Sequence, residues 1–244
     1  MKLIVTGATG FVGQEVIRQA IRNPAVTSII ALARKAFPAS SIGDEVATSA
    51  KLQSVILEDW TSDYPESFQQ HLKDADACIW TLAITHSKAK DMDFAEVTKV
   101  NHDYTINGMK NMLAVANKPF RFIYTSFDFS ERDQNRTLTA LGDYRHMRGR
   151  TENELLRIAE DNTPDVQVTV AKPGAIVGPN TGSVASTVVK GEAYAFPNFP
   201  RVHVSELAAA MIEQCLKGFM KDPLWGNELT EIGRVLLREE DYLK

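Results

Sequence analysis

Three side chains in this chain of 244 residues have types and spacing suited to proton chemistry: Ser126, Tyr144 and Arg148. Tyr144 and Arg148 are four positions apart, so on a helix they share a face. A free tyrosine titrates near pH ~10. A fixed cation beside it favours the phenolate and brings that value towards neutrality. A phenol tuned in this way gives or takes a proton at an oxygen of a small molecule. A serine hydroxyl can hold the same oxygen, whether carbonyl or alkoxide. The competing reading of Tyr144 and Arg148 is a solvated helix face with a half-buried tyrosine. His86, His102, His146 and His203 show no metal-site spacing with nearby carboxylates. His146 lies between Tyr144 and Arg148 but on another helix face. His86 is a substrate-side candidate because it falls in a loop. Asp128 and Asp133 either contact a substrate or are solvated loop carboxylates.

The elements that must position these groups begin at the N-terminus. Leu3, Ile4 and Val5 read as a buried strand, and a turn with Gly7, Gly10 and Gly13 follows. An amphipathic helix starts at about Phe11 and runs towards Arg22. Strand, glycine turn and helix together open a dinucleotide-binding βαβ unit. Gly7 allows the sharp turn, Gly10 admits backbone N–H groups to a pyrophosphate, and Gly13 lets the helix lie close to the sheet. The helix N-terminus offers free N–H groups and its positive dipole end to the phosphates. The Gly-x-x-Gly-x-x-Gly spacing is one residue wider at the front than the common form, and an ordinary strand-to-helix turn is the bland alternative.

A second buried strand, residues 28–33, runs into Arg34 and Lys35. An acidic residue there would bind the ribose diol of NAD, whereas two cations suit the 2′-phosphate of NADP. Solvated surface charges are the other reading. Residues 36–50 read as loop or weak helix. A third strand spans 52–57 and closes in Glu58, Asp59 and Trp60. Read from the residues alone, Asp59 is a helix-capping aspartate and Trp60 a core residue. A fourth strand, 76–83, leads into Ile84, Thr85, His86 and Ser87, where ribose and nicotinamide would pass. A long helix is expected over 91–117, a fifth strand over 120–126, a helix over 142–161 and a sixth strand over 166–171. Met109 and Met112 are core fillers. A short helix is expected near 183–190. Ser205 is expected to cap a helix running to about 217, followed by a strand at 228–232 and a charged helix over 233–243.

Six alternations of strand and helix predict an α/β fold, a doubly wound parallel sheet with helices on both faces. Residues 1–244 read as one Rossmann-type domain with a small C-terminal elaboration on the substrate side. Right-handed crossovers bring the strand C-termini to one edge, so the polar segments 127–140 and 175–202 supply substrate-side walls. Within the second of these, the aromatic and proline content of 195–200 suits an apolar lid or plain packing.

Composition agrees with an ordinary globular protein: 44% hydrophobic, 24% charged, net charge −4. Without a dense basic tract there is no support for nucleic-acid or membrane-surface partners. Neither a signal peptide nor a bilayer-spanning run is evident. Cys78 and Cys215 offer no metal spacing or disulfide framework, and the default expectation is a reducing, cytoplasmic setting. Met112, Val115, Leu155 and Ile158 on the two long helices would serve either a homodimer surface or a monomer's core.

The motifs resemble those of extended and atypical short-chain dehydrogenase/reductases, in particular the branch containing the Tat-interacting NADPH-binding protein. Thr6-Gly-Ala-Thr-Gly-Phe-Val-Gly13 is similar to the family's nucleotide signature. Ser126 followed by Tyr144-Arg-His-Met-Arg148 resembles its Ser and Tyr-x-x-x-Lys pattern. Thr81-Leu-Ala-Ile-Thr85, Val100-Asn-His-Asp-Tyr104, Arg148-Gly149 with Glu152 and Glu154, Lys172-Pro-Gly174 and Val202-His-Val-Ser-Glu-Leu-Ala208 extend the similarity to about residue 217. The resemblance implies an NADP(H) site formed by Gly7, Thr9, Gly10, Phe11, Val12, Gly13, Arg34, Lys35, Asp59, Trp60, Leu82, Ala83, Thr85, Asn101, Pro173 and Gly174. It implies catalysis by Ser126, Tyr144 and Arg148, with hydride from the nicotinamide. The departure is Arg148 where the family has Lys. Arginine keeps the charge, but it is bulkier, planar and effectively never deprotonated, so it cannot relay protons. Three functions follow: an NADPH-dependent oxidoreductase of a small carbonyl or alcohol, a non-redox enzyme using the same pocket, or an inactive NADPH-binding regulator.

Overall fold

The computed structural model describes residues 1–179 and 200–242. Seven strands form one parallel sheet in the order β3-β2-β1-β4-β5-β6-β9. They are β1 (Lys2–Thr6), β2 (Ser28–Ala33), β3 (Leu52–Ile56), β4 (Ala77–Trp80), β5 (Phe120–Thr125), β6 (Val166–Lys172) and β9 (Leu224–Trp225). The central strands are apolar on both faces, as a sheet covered on both sides requires. Alternation then divides their side chains. Leu3 and Val5 join one core with Val16, Ile17 and Leu207. Ile4 joins the other with Trp80, Met109 and Leu155. The first core lies under α1 (Phe11–Arg22), the second under α7 (Tyr104–Leu113) and α8 (Gly142–Asp161). Strand order reverses between β1 and β4, which places the topological crevice beside the glycine turn.

Smaller helices fill the connections: α2 (Ala39–Ile42), α3 (Asp44–Ala47), α4 (Glu66–Leu72), α5 (His86–Ala89) and α6 (Phe94–Thr98). A second, two-stranded parallel sheet joins β7 (Ala175–Val177) to β8 (Arg201–His203). It is followed by α9 (Val204–Lys217) and α10 (Gly226–Tyr242).

Several expectations are corrected. The helix expected over 91–117 is three pieces: α6, a π-helical stretch over Lys99–Asp103, and α7. The widened stretch buries Val100 and Asn101, and such bulges are frequent at functional sites. The strand expected at 228–232 is helical and lies inside α10, where Leu229 is buried and Ile232 packs against the same core. The strand that actually joins the sheet is the preceding Leu224–Trp225, a seventh strand beyond the six expected. The fourth strand is shorter than 76–83, covering Ala77–Trp80. α9 is capped by His203 rather than Ser205: the His203 ring accepts from Ser205 N, and Glu206 accepts from His203 N at 3.2 Å. Met112 and Leu155 are wholly buried, so they serve the core. The short helix expected at 183–190, and most of the lid segment 195–200, lie outside the described residues.

Candidate active site

Parallel strands bring their C-terminal ends to one edge, and with them the glycine turn after β1, Arg34 after β2, Asp59 after β3, residues 81–85 after β4, Ser126 after β5 and Pro173 after β6. The cofactor end follows from the backbone. Gly7 has φ +64°, and a Cβ there would lie 2.8 Å from Leu82 N; at Gly13 it would lie 2.5 Å from Gly7 O. Only glycines allow this close turn. The N-cap of α1 is Gly10, and no side chain caps the first turn. Its N–H groups are therefore disposed for an anion such as a pyrophosphate, and Thr9, Phe11 and Val12 lie in this same turn. The residues thus fit a dinucleotide. Arg34 and Lys35 are exposed and make no ion pair among the described residues. Exposed Asp59 accepts from Ser62 Oγ at 2.6 Å, from Thr61 Oγ1 at 2.6 Å and from Thr61 N at 2.8 Å. These bonds, that of Ser62 foremost, hold its carboxyl well below the usual carboxylate range. Trp60 is wholly buried, donates to Leu57 O at 2.8 Å and stacks on Tyr104, so it is a core residue with no face for an adenine. Leu82 and Ala83 are half-buried beside the turn, and Thr85 is the N-cap of α5. Pro173 is buried, and Gly174 passes so close to Pro200 that a Cβ would lie 1.9 Å from Pro200 O.

Among the candidate catalytic residues, Tyr144 stands in the first turn of α8 and lines a cleft of about 200 Å³ with His86, Ala89, Lys90, Phe94, Leu141, Gly142 and Asp143. Its hydroxyl donates to Ile84 O at 2.9 Å. Asn101 holds that same residue from the π-helical stretch: its Nδ2 donates to Ile84 O at 3.0 Å, and its Oδ1 accepts from Ile84 N at 2.8 Å. The His86 and Phe127 rings meet Tyr144 edge-on, with centroids 5.5 and 5.9 Å away.

Arg148 lies one turn further along α8 and is 2% exposed. Nη2 donates to Thr125 O at 2.7 Å, Nη1 to Asn101 Oδ1 at 3.4 Å, and the guanidinium lies 4.9 Å from the centre of the Tyr124 ring. Burial opposes its charge, but the Tyr124 and Tyr144 phenols and the Glu152 carboxylate outweigh that effect and raise its pKa. Nη1 and Nη2 are thus engaged by groups of the protein interior, and the side chain also bonds to Tyr144. Ser126 is also buried, and its hydroxyl donates to Glu152 Oε1 at 2.5 Å. Glu152 and Lys172 complete the environment, and neither was among the candidate site residues. The available signal was helical spacing: Glu152 stands four residues after Arg148 and eight after Tyr144. Asp133 accepts from Asn135 N in a local turn. Burial raises the Asp128 carboxyl, against the pull of Lys172.

The C-terminal edge of one parallel sheet thus carries both a nucleotide-type glycine turn and a tyrosine on the helix after β5, the arrangement of a doubly wound dinucleotide-binding fold. Residues 7–215 match the family described as NAD(P)H-binding, and the chain belongs to that family. Its cofactor is accordingly NAD(P)H. Among curated proteins it is similar to "Protein FMP52, mitochondrial" of Kluyveromyces lactis, 22% identical over 233 residues, covering 96% of this chain and 88% of that protein. The Candida albicans protein of the same name is 23% identical over 190 residues, covering 73% of this chain and 68% of that protein. Both names say mitochondrial, which overturns the expectation of a cytoplasmic setting. The fold is shared with yeast methylglyoxal/isovaleraldehyde reductase Gre2 complexed with NADPH, at TM-score 0.72 and 16% identity over 92% of this chain and 77% of that one. It is also shared with a Streptomyces venezuelae dTDP-glucose 4,6-dehydratase, at TM-score 0.69 and 17% identity over 99% of this chain and 81% of that one.

Proposed function

We propose that the chain is an NADPH-dependent reductase of a small carbonyl compound, with Tyr144 as its acid. The observation that carries this reading is Tyr144 at the wall of a cleft, with the buried charge of Arg148 one helical turn further along α8. Bound nicotinamide supplies the hydride. Tyr144 gives its proton to the oxygen that becomes negative, and Arg148 favours the phenolate left behind. Arg148 acts here as a buried charge, because it is neither exposed enough to hold ribose nor able to lose a proton. Asn101 and Ile84 place the loop on which the phenol rests. Arg34 and Lys35 meet the 2′-phosphate and select NADPH over NADH. The Gre2 likeness supports methylglyoxal and isovaleraldehyde as first probes.

The test is loss of nicotinamide absorbance with these two aldehydes, in the wild type and in Tyr144→Phe. Removing the acid should lower kcat by about 100-fold or more while leaving NADPH affinity unchanged. Undiminished turnover in the variant rejects Tyr144 as the acid. NADPH binding with no aldehyde reduction rejects the reductase reading.

A further inference from the structure

Behind the cleft lies a charged cluster that the proposed reaction does not use. Glu152 is wholly buried, and both of its oxygens are engaged. Oε1 accepts from Ser126 at 2.5 Å and also contacts the Ser130 hydroxyl. Oε2 accepts from Arg132 Nε at 2.7 Å and lies 3.1 Å from Lys172 Nζ. Arg132 in turn pairs with Asp222 at 2.8 Å, and Lys172, 3% exposed, donates to Ser130 O at 3.2 Å. Burying such a cluster is costly, and apolar residues of the same volume often do as well for stability. Its arrangement has a consequence for Ser126. A serine hydroxyl has one proton and two lone pairs. With the proton held by a carboxylate, in a charge-assisted bond about twice as strong as a neutral one, and the Ser130 hydroxyl 3.3 Å away on another side, Oγ offers a ligand a lone pair rather than a proton. A bare carbonyl oxygen is a poor partner for it, and a ligand hydroxyl is a good one.

We propose that Glu152 is a positioning residue that orients Ser126 as a hydrogen-bond acceptor, so that the site prefers a carbonyl compound carrying a hydroxyl next to the carbonyl carbon. This rests on the reductase reading above and narrows its substrate to the hydroxyketone class. The geometry suits the assignment. Ser126 directly follows β5, and its neighbour Phe127 packs edge-on against Tyr144, which lines the cleft. In the reduction, the carbonyl carbon gains a hydride from NADPH, which leaves as NADP⁺, and the carbonyl oxygen gains the Tyr144 proton. The adjacent hydroxyl keeps its own proton, shared with Ser126 Oγ.

Hydroxyacetone and butanone test this, because they differ by a hydroxyl in place of a methyl group. The wild-type holoenzyme should favour hydroxyacetone in kcat/KM by about tenfold or more, since a site built around a substrate hydroxyl rejects the analogue lacking it. Glu152→Gln should abolish that preference, Ser126→Ala should do the same, and the double variant should lose nothing further. Equal loss on both ketones, or a wild-type preference for butanone, overturns the proposal. Should the wild type bind NADPH and reduce neither ketone, the reductase reading fails, and the positioning role is then read from a crystal structure of NADPH-bound Glu152→Gln. Release of the Ser126 side chain from its single orientation supports that role, and an unchanged orientation overturns it.

Discussion

Arg148 puts a full positive charge inside the protein without a carboxylate in direct contact among the described residues. Its partners are a carbonyl, an amide oxygen, an aromatic face and the Tyr144 side chain. Arg148→Met should therefore destabilise the fold, because Thr125 O loses a donor and a buried polar group without its partner costs about 1–3 kcal/mol. Urea unfolding checks this as a lower midpoint at unchanged slope. His102 gives a second residue-scale prediction. Burial, and then Arg150, lower its pKa, although Glu154 3.4 Å away pulls the other way; burial is the larger effect. Between the lowered folded value and the unfolded value of about 6.5, the unfolded chain binds more proton. Stability from neutral His102 is thus present above the unfolded value and lost as pH falls through it towards the folded one. His102→Gln should flatten that decline, seen in chemical unfolding over this window. Glu152 shows what residue-by-residue reading passes over. The family-like segment after Arg148 includes it without giving it a role, and its burial beside Ser126 supplies one.

At the scale of elements, the cap of α9 is the clearest small determinant. His203 and Glu206 make a reciprocal capping box, so His203→Ala should cost about 1 kcal/mol, measured as a shift in the unfolding midpoint. Local pattern was a good guide to the strands: Leu3-Ile4-Val5 and Ser28 to Ala33 are apolar runs too short for helices and bounded by turn residues. It was a poor guide where a local signal competes with packing. The β-branched and leucine content near 228–232 reads as strand, yet Leu229 and Ile232 reach one core at a helical spacing of three. The π-helical stretch over Lys99–Asp103 contains neither proline nor glycine to announce it. It forms where Asn101 is drawn inward to Ile84, and that contact joins residues 17 positions apart.

For the whole molecule, cofactor binding and folding are linked. NADPH at about 100 times its Kd should add ~2.7 kcal/mol of stability, raising the melting temperature by several degrees. The same excess over the NADPH Kd applied as NADH should add less. Arg34→Ala with Lys35→Ala should lower NADPH affinity by about tenfold through loss of charge-assisted bonds, erasing the difference between the two melts and leaving NADH unaffected. An unchanged NADPH shift in that variant would remove these cations from the 2′-phosphate site.

The nucleotide end was legible from the amino acids alone, because a strand, three glycines and a helix are adjacent in the chain and their geometry is local. The parallel, doubly wound sheet was legible for a related reason: short apolar strands alternating with amphipathic helices have few ways to bury both faces. Spacing also brought Tyr144 and Arg148 to one helix face. Spacing could not say which way that face looks, or what lies across from it. Folding turns Arg148 inward onto Thr125 and Asn101, buries Trp60 against Tyr104, and joins Ser126 to a carboxylate 26 residues later. These are long-range contacts whose partners come from separate elements. Their roles depend on burial and on where each proton points, which exist only once the layers have packed.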